Sequence, residues 1–285
     1  MDIVDAQIHM GPGRIEEILA AMDALGIRGV VVDEYWLRSF NNEPHHVLPN
    51  GAFRPLAPTA EIAAQLHPER FTYLLRVHRQ DPEYASVIRQ VRDAPGGRAL
   101  RIDPGMSPAT AKEFATGGYD HVLAAAADAG LPLFVFASDQ PQAFARAAEA
   151  FPSLKLIVDH CGVFSNSMRG SFAQLPPRSE AEQLALFDEV LALAEYPNVA
   201  LKWGHASGNF DKPVWPGEAL WPILRHAISR LGADRIMWAS DFSVNQRGES
   251  WADLLYGVKG DPGLSRDERE WVLGGTVRKW LDWPA

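Results

Sequence analysis

Eight short, continuously apolar runs divide this chain from end to end, with amphipathic stretches between them. The runs span residues 2–8, 29–35, 71–77, 99–102, 131–137, 154–160, 198–203 and 235–240. Chain-breaking residues bound several of them, as at Gly26-Ile27-Arg28-Gly29, Gly130-Leu131-Pro132 and Pro197-Asn198. Hydrophobicity that runs on rather than alternating marks strands covered on both faces, and so a parallel sheet. The intervening stretches carry the helical period. Ile15, Ile18, Leu19, Met22 and Leu25 recur at that spacing. So do Leu184, Phe187, Val190, Leu191 and Ala194, behind a Ser179–Glu182 capping box. Residues 109–129 are Ala-rich and predict a helix interrupted at Gly117-Gly118, and residues 265–283 predict a capped helix that packs Trp280 and Trp283. Strand and helix in alternation give right-handed βαβ units. Eight such units predict an α/β fold, a regular or distorted (β/α)8 TIM-type barrel, with an open doubly wound sheet as the alternative. A barrel of this kind needs about 250 residues. The 285 residues here, without linker or repeat, are therefore read as one domain over 1–285.

Charge and cysteine content narrow the function classes. With 36 acidic and 27 basic side chains, the net charge of −9 argues against nucleic acid as a partner. A single cysteine, Cys161, excludes an internal disulfide and a Cys-rich metal cluster. No run approaches the roughly 20 apolar residues of a membrane span. No basic and apolar leader precedes the first strand, so a cytoplasmic protein acting on a small molecule is expected. Nothing fixes the oligomeric state, and a homo-oligomer is open.

Three of the apolar runs break off at residues suited to acid–base chemistry: Val4-Asp5-Ala6-Gln7-Ile8-His9, Leu156-Ile157-Val158-Asp159-His160-Cys161-Gly162 and Ile236-Met237-Trp238-Ala239-Ser240-Asp241-Phe242. They lie far apart in sequence, and a barrel would gather them at its carboxyl rim, where the active sites of such barrels sit. Asp241 is the candidate general base or metal ligand, with a structural turn cap as its alternative. His160 and His9 are candidates to polarise a carbonyl, shuttle a proton or bind a metal; each could instead be a satisfied buried histidine. Arg76, Arg101 and Lys202 stand inside apolar strands, where an unpaired charge is costly. They either hold a substrate anion or pair with internal acids such as Asp33, Glu34 and Asp103. His78, His205, Trp36, Tyr35, Trp203 and Trp215 follow strands and could wall a ring-shaped ligand. The adjacent His45 and His46 read as a solvated turn. Long connections at 36–58, 161–178 and 204–216 follow strand ends and are expected to cover the site.

The strings Asp5-Ala6-Gln7-Ile8-His9, Asp159-His160-Cys161-Gly162 and Ala239-Ser240-Asp241-Phe242 resemble three signatures of the amidohydrolase superfamily. Asn198-Val199-Ala200-Leu201-Lys202 and Val272-Leu273-Gly274-Gly275-Thr276 add to the likeness. The branch resembled is amidohydrolase-2, which holds 2-pyrone-4,6-dicarboxylate hydrolase, fuconolactonase-like sugar lactonases and several decarboxylases. The resemblance implies a distorted barrel and hydrolytic or C–C-cleaving chemistry. Two positions depart from it. Gln7 stands where the superfamily has the first histidine of a His-x-His pair, and the run Leu133-Phe134-Val135-Phe136-Ala137-Ser138 offers no histidine ligand. A neutral amide is a poor zinc ligand beside imidazole. The resemblance therefore implies a metal-independent lactonase. No cofactor is required, and a single zinc or manganese, if bound, would fall to His9, His160 and Asp241. The expected reaction opens a lactone or other cyclic ester of a small polar acid. Asp241 would activate water, and Gln7, Arg76, Arg101, Lys202, His78, His205 and Trp36 would contact an anionic or sugar-acid-like substrate. The alternatives are a metal-dependent decarboxylase of a small aromatic or unsaturated acid, a lactone isomerase, and a catalytically silent binding barrel.

Overall fold

All eight apolar runs become strands that pair side by side in chain order. They are β1 (Ile3–Ile8), β2 (Ile27–Asp33), β3 (Phe71–Arg76), β4 (Gly97–Ile102), β5 (Leu133–Val135), β6 (Leu156–Val158), β7 (Val199–Trp203) and β8 (Ile236–Trp238). Every ladder between them is parallel. The computed structural model describes residues 1–34, 44–244 and 248–285. Within them the strands form a nearly closed (β/α)8 barrel.

The seam between β8 and β1 closes without a ladder among the described residues. The Asp241 N–H donates to the Gln7 carbonyl at 3.0 Å. Asp5, fully buried, stitches the rest. Its Oδ1 accepts from the N–H groups of Gln7 (3.1 Å) and Ser240 (2.9 Å), and its Oδ2 accepts from the Trp251 indole (2.7 Å). Burial pushes the Asp5 carboxyl up to about 6, with these donated bonds opposing the rise.

Alternation along the strands separates two layers. Val4, Ala6, Val31, Leu74, Ala99, Phe134, Ile157, Ala200 and Met237 point inward and pack on Val277, Trp280, Leu281 and Trp283, so the C-terminal helix plugs the barrel floor. Their outward neighbours pack against the surrounding helices. The expected helices form at Ile15–Leu25, at Glu180–Leu191 behind the Ser179–Glu182 capping box, and at Pro108–Ala115 and Asp120–Ala129, broken at Gly117 with φ 89°. The last runs through Arg266–Glu270 and Thr276–Trp280 with a π-turn between them.

The connection at 36–58 differs from the expected loop. His45–Val47 and Phe53–Pro55 pair antiparallel as a hairpin whose turn includes Gly51 at φ 79°. His45 and His46 are thus strand residues rather than a solvated turn. Tyr35 and Trp36 lie outside the described residues. No helix among the described residues is long and apolar enough to cross a membrane.

Candidate active site

Two residues past the last apolar inward position on most strands, and one past Ala6 on β1, the barrel interior turns ionic. The inward side chains there are Gln7, Asp33, Arg76, Arg101, Asp159 and Lys202. Asp33 accepts a bidentate pair from Arg76 (2.9 and 2.8 Å) and a contact from Arg101. Arg101 Nε also lies 2.9 Å from Asp103 and 3.1 Å from Asp159. Lys202, with no exposed surface, holds Asp159 at 2.7 Å and donates to the Gln7 amide oxygen. The cations therefore have internal acids for partners, and Arg76 and Arg101 also line the cleft. Lys202 is sealed beneath the cleft, Arg101 is ringed by three carboxylates, and Arg76 reaches the cleft while paired to Asp33 and Asp103. Burial penalises the Asp33 carboxylate, but Arg76, Arg101 and His9 outweigh it and hold the group well below the usual range. Burial also lowers Lys202, with Asp159 opposing. Glu34, another considered partner, instead caps the helix Pro58–Leu66 through the Thr59 and Ala60 N–H groups.

Above this layer four residues converge. His9 Nε2 lies 2.9 Å from Asp241 Oδ1, and His205 Nε2 lies 2.8 Å from Asp241 Oδ2. His160 Nε2 stands 3.8 Å from the same Oδ2, with its ring edge-on to His205 at 4.6 Å. All four line one cleft. The backbone explains the convergence. His160, His205 and Asp241 follow β6, β7 and β8 closely, and all three adopt left-handed conformations, with φ of 49°, 53° and 50°. Such a conformation costs a non-glycine residue about 1–3 kcal/mol and concentrates at functional sites. Here it ends each strand and swings the side chain over the barrel mouth. On β1 the register against β2 slips between Asp5 and Ile8. Gln7 and His9 consequently share the inner face, with their side chains 3.1 Å apart.

Hydrogen-bond partners assign the protons. His9 Nδ1 lies 2.7 Å from the Asp33 carbonyl, which only accepts, so Nδ1 carries hydrogen. Lys202 donates to Gln7 Oε1, which turns the amide nitrogen towards His9 Nε2 and Asp33. His9 Nε2 thus lies between the Gln7 amide nitrogen at 3.1 Å and Asp241 Oδ1 at 2.9 Å and has a single hydrogen-bonding site for the two. Burial disfavours the Asp241 carboxylate, but the charges and hydrogen bonds of His9 and His205 outweigh it and hold the group well below the usual carboxylate range. Burial, then Lys202 and His205, push His160 well below the usual imidazole range, so its ring is neutral. Asn209 Nδ2 donates to the His160 carbonyl at 2.7 Å and fixes that turn.

The cleft holds about 1100 Å³. His78 lines it, as expected, and His45 joins it from the hairpin. The expected tryptophan wall is absent among the described residues. Trp203 packs outward on Phe187 and Phe210, and Trp215 is exposed and away from the cleft lining. Phe136, Phe172 and Phe53 form the apolar wall instead. Asp159 pairs with Lys202 and Arg101. His205, read as a substrate contact, belongs with the donor cluster. Its signal was available in Trp203-Gly204-His205, a third strand that ends at a histidine.

The amidohydrolase family profile matches residues 5–283. The chain belongs to the amidohydrolase family. Among solved amidohydrolase structures, one from Burkholderia multivorans with bound HEPES superposes at TM-score 0.75, with 14% identity over all of both chains, and another crystal form of it contains zinc. A putative 2-pyrone-4,6-dicarboxylic acid hydrolase from Pseudomonas putida gives 0.71 at 16% identity, covering 100% of this chain and 98% of that one. A 5-carboxyvanillate decarboxylase from Novosphingobium aromaticivorans, with bound manganese and a nitrobenzoic acid, gives 0.62 at 16% identity, covering 99% and 97%. A segment of 113 residues is 31% identical to protein y4mH of Sinorhizobium fredii; it covers 39% of this chain and a third (33%) of that protein.

These neighbours raise the question of a metal, and the donor set can be tested for one. His160, His205 and Asp241 each offer a ligand atom within 4.8 Å of the others, and His9 Nε2 lies beside the Asp241 Oδ1 of that group at 2.9 Å. The buried His160 Nδ1 has no hydrogen-bond partner. Imidazole and carboxylate together suit zinc or manganese. His160, His205 and Asp241 could therefore hold one divalent ion, so that His205 takes the place expected of His9.

Proposed function

We propose that this amidohydrolase, acting through one domain over 1–285, is a hydrolase that opens a lactone or other cyclic ester of a small acid. The observation that carries this reading is Asp241, a cleft-lining carboxylate gripped by His9 and His205 beside the neutral His160. Held ionised through neutral pH, Asp241 can accept a proton from a water molecule as the water oxygen bonds to the ester carbonyl carbon. His160, through a ring N–H, stabilises the oxyanion of the tetrahedral intermediate. Collapse breaks the ring C–O bond. The departing alkoxide takes back the proton relayed through the Asp241–His205 hydrogen bond, so one water is consumed and one hydroxy acid forms. A divalent ion held by His160, His205 and Asp241 would supply Lewis acidity towards the carbonyl when bound. The residues described supply a base and an oxyanion donor of their own. The Lys202 ammonium below them, with the neutral Gln7, weakens the site's attraction for a dication.

Acid release from a lactone panel tests the reading. Asp241→Asn should lower kcat by about 10²–10⁴-fold in a protein that still unfolds cooperatively. Near-normal turnover in that variant would remove the mechanism. The second reading is a metal-dependent decarboxylase, favoured by the imidazole–carboxylate donor set. Elemental analysis followed by chelation separates the two. Carbon dioxide release that disappears with the metal would support decarboxylation, and ester opening that survives chelation would support hydrolysis.

A further inference from the structure

We infer that the ring this site takes is uncharged and amphipathic, a lactone bearing an aryl or alkyl substituent that lies against Phe136, Phe172, Met106 and Met168. This rests on the reading of the site as ester-opening and narrows its substrate class. Two independent observations lead to it.

The first is the state of the cations. Among the described residues, each arginine or lysine that lines the cleft already holds a protein carboxylate. Arg76 holds Asp33 and Asp103, and Arg101 holds those two and Asp159. Arg79 holds Glu113, Arg178 holds Asp139, and Lys212 holds Glu180 at 2.8 Å. Around Arg76 and Arg101 the buried acids already balance the positive charge, so a substrate carboxylate gains little net attraction there; the acids of Arg79 and Lys212, Glu113 and Glu180, are exposed and their pairs are weak. The second is the opposite wall. Phe136 sits edge-on to His160 with centroids 5.3 Å apart, and Phe172 is edge-on to Phe136 at 6.1 Å and 88°. Met106, 51% exposed, lines the same cleft, and Met168 completes the patch. A flexible thioether beside rigid rings accommodates an apolar group of varied shape. At about 1100 Å³ the cleft also exceeds what a bare five- or six-membered lactone fills.

Calorimetric binding of non-hydrolysable cyclic ketones tests this apart from turnover. A phenyl-substituted cyclopentanone should bind the wild-type protein at least tenfold more tightly than a dihydroxy-cyclopentanone. That preference should collapse to within about threefold in Phe172→Ala and in Met106→Gln, each checked for cooperative unfolding. Kinetics with phenyl-substituted γ-butyrolactone, a sugar γ-lactone and a pyrone dicarboxylate should follow the same order in kcat/KM. Equal binding of the two ketones, or a preference unchanged in both variants, overturns the apolar subsite whatever the turnover shows. A dicarboxylate preferred over the phenyl lactone overturns it as well. If the phenyl ketone binds tightly but no lactone opens, the hydrolytic reading falls and the subsite stands.

Discussion

At position 7 an amide stands where the family resemblance implies an imidazole, and Lys202 decides what that amide does. By donating to Gln7 Oε1 it turns the amide nitrogen towards His9 Nε2, 3.1 Å away, and towards Asp33. Replacing Gln7 alone would press an imidazole against a fully buried ammonium. We therefore expect Gln7→His to gain little metal affinity, and Gln7→His/Lys202→Gln to bind one zinc per chain at least tenfold more tightly than wild type, read by calorimetry after chelator dialysis. Equal affinity in the double variant would show that Lys202 does not oppose the ion. His9, His160 and Asp241 were legible in the sequence because each follows an apolar run directly. The pairing of Arg76, Arg101 and Lys202 was not, because which of Asp33, Asp103 and Asp159 meets which cation depends on neighbours brought together only by the closed sheet.

At the scale of elements, the strands were legible because burial on both faces leaves an unbroken apolar run. Their carboxyl ends were not. The apolar runs 154–160 and 235–240 continue past β6 and β8, but His160 and Asp241 turn left-handed there, and hydrophobicity carries no signal for that turn. The hairpin at 45–55 did leave a mark, the Asn50-Gly51 dipeptide, which favours tight turns between strands. The loop after β6 is held by Asp139, which takes Arg169 at 2.7 Å, Arg178, and the Phe164 N–H at 3.0 Å. This latch keeps Phe172 and Met168 at the cleft. Asp139→Ala should release it. Trypsin cleavage after Arg169 and Arg178 should accelerate about tenfold and KM should rise several-fold, while the urea midpoint moves little. Unchanged cleavage would mean that packing, not Asp139, fixes the loop.

At the scale of the whole molecule, the barrel needs both its apolar floor and its ionic layer, and the seam between first and last strands joins them. Asp5 carries that seam with three accepted hydrogen bonds, so Asp5→Ala should cost about 2–4 kcal/mol by leaving buried N–H groups unpaired. The carboxyl also makes a pH-dependent contribution whose sign is fixed. Its folded value, about 6, lies above its unfolded value near 3.9. Between these the folded chain binds the proton more tightly than the unfolded chain, so this group's contribution to stability is full below about pH 4 and falls as pH rises through 6. Asp5→Asn stays neutral throughout and isolates the effect. The stability of wild type relative to Asp5→Asn should therefore decline by about 2 kcal/mol between pH 4.5 and 7.5 in urea titrations. A difference that instead grows with pH would mean that the donors from Gln7, Ser240 and Trp251 outweigh burial and keep the seam carboxylate ionised. In that case closure of the barrel would rest on a charge held by N–H groups rather than on a proton retained by a dry site.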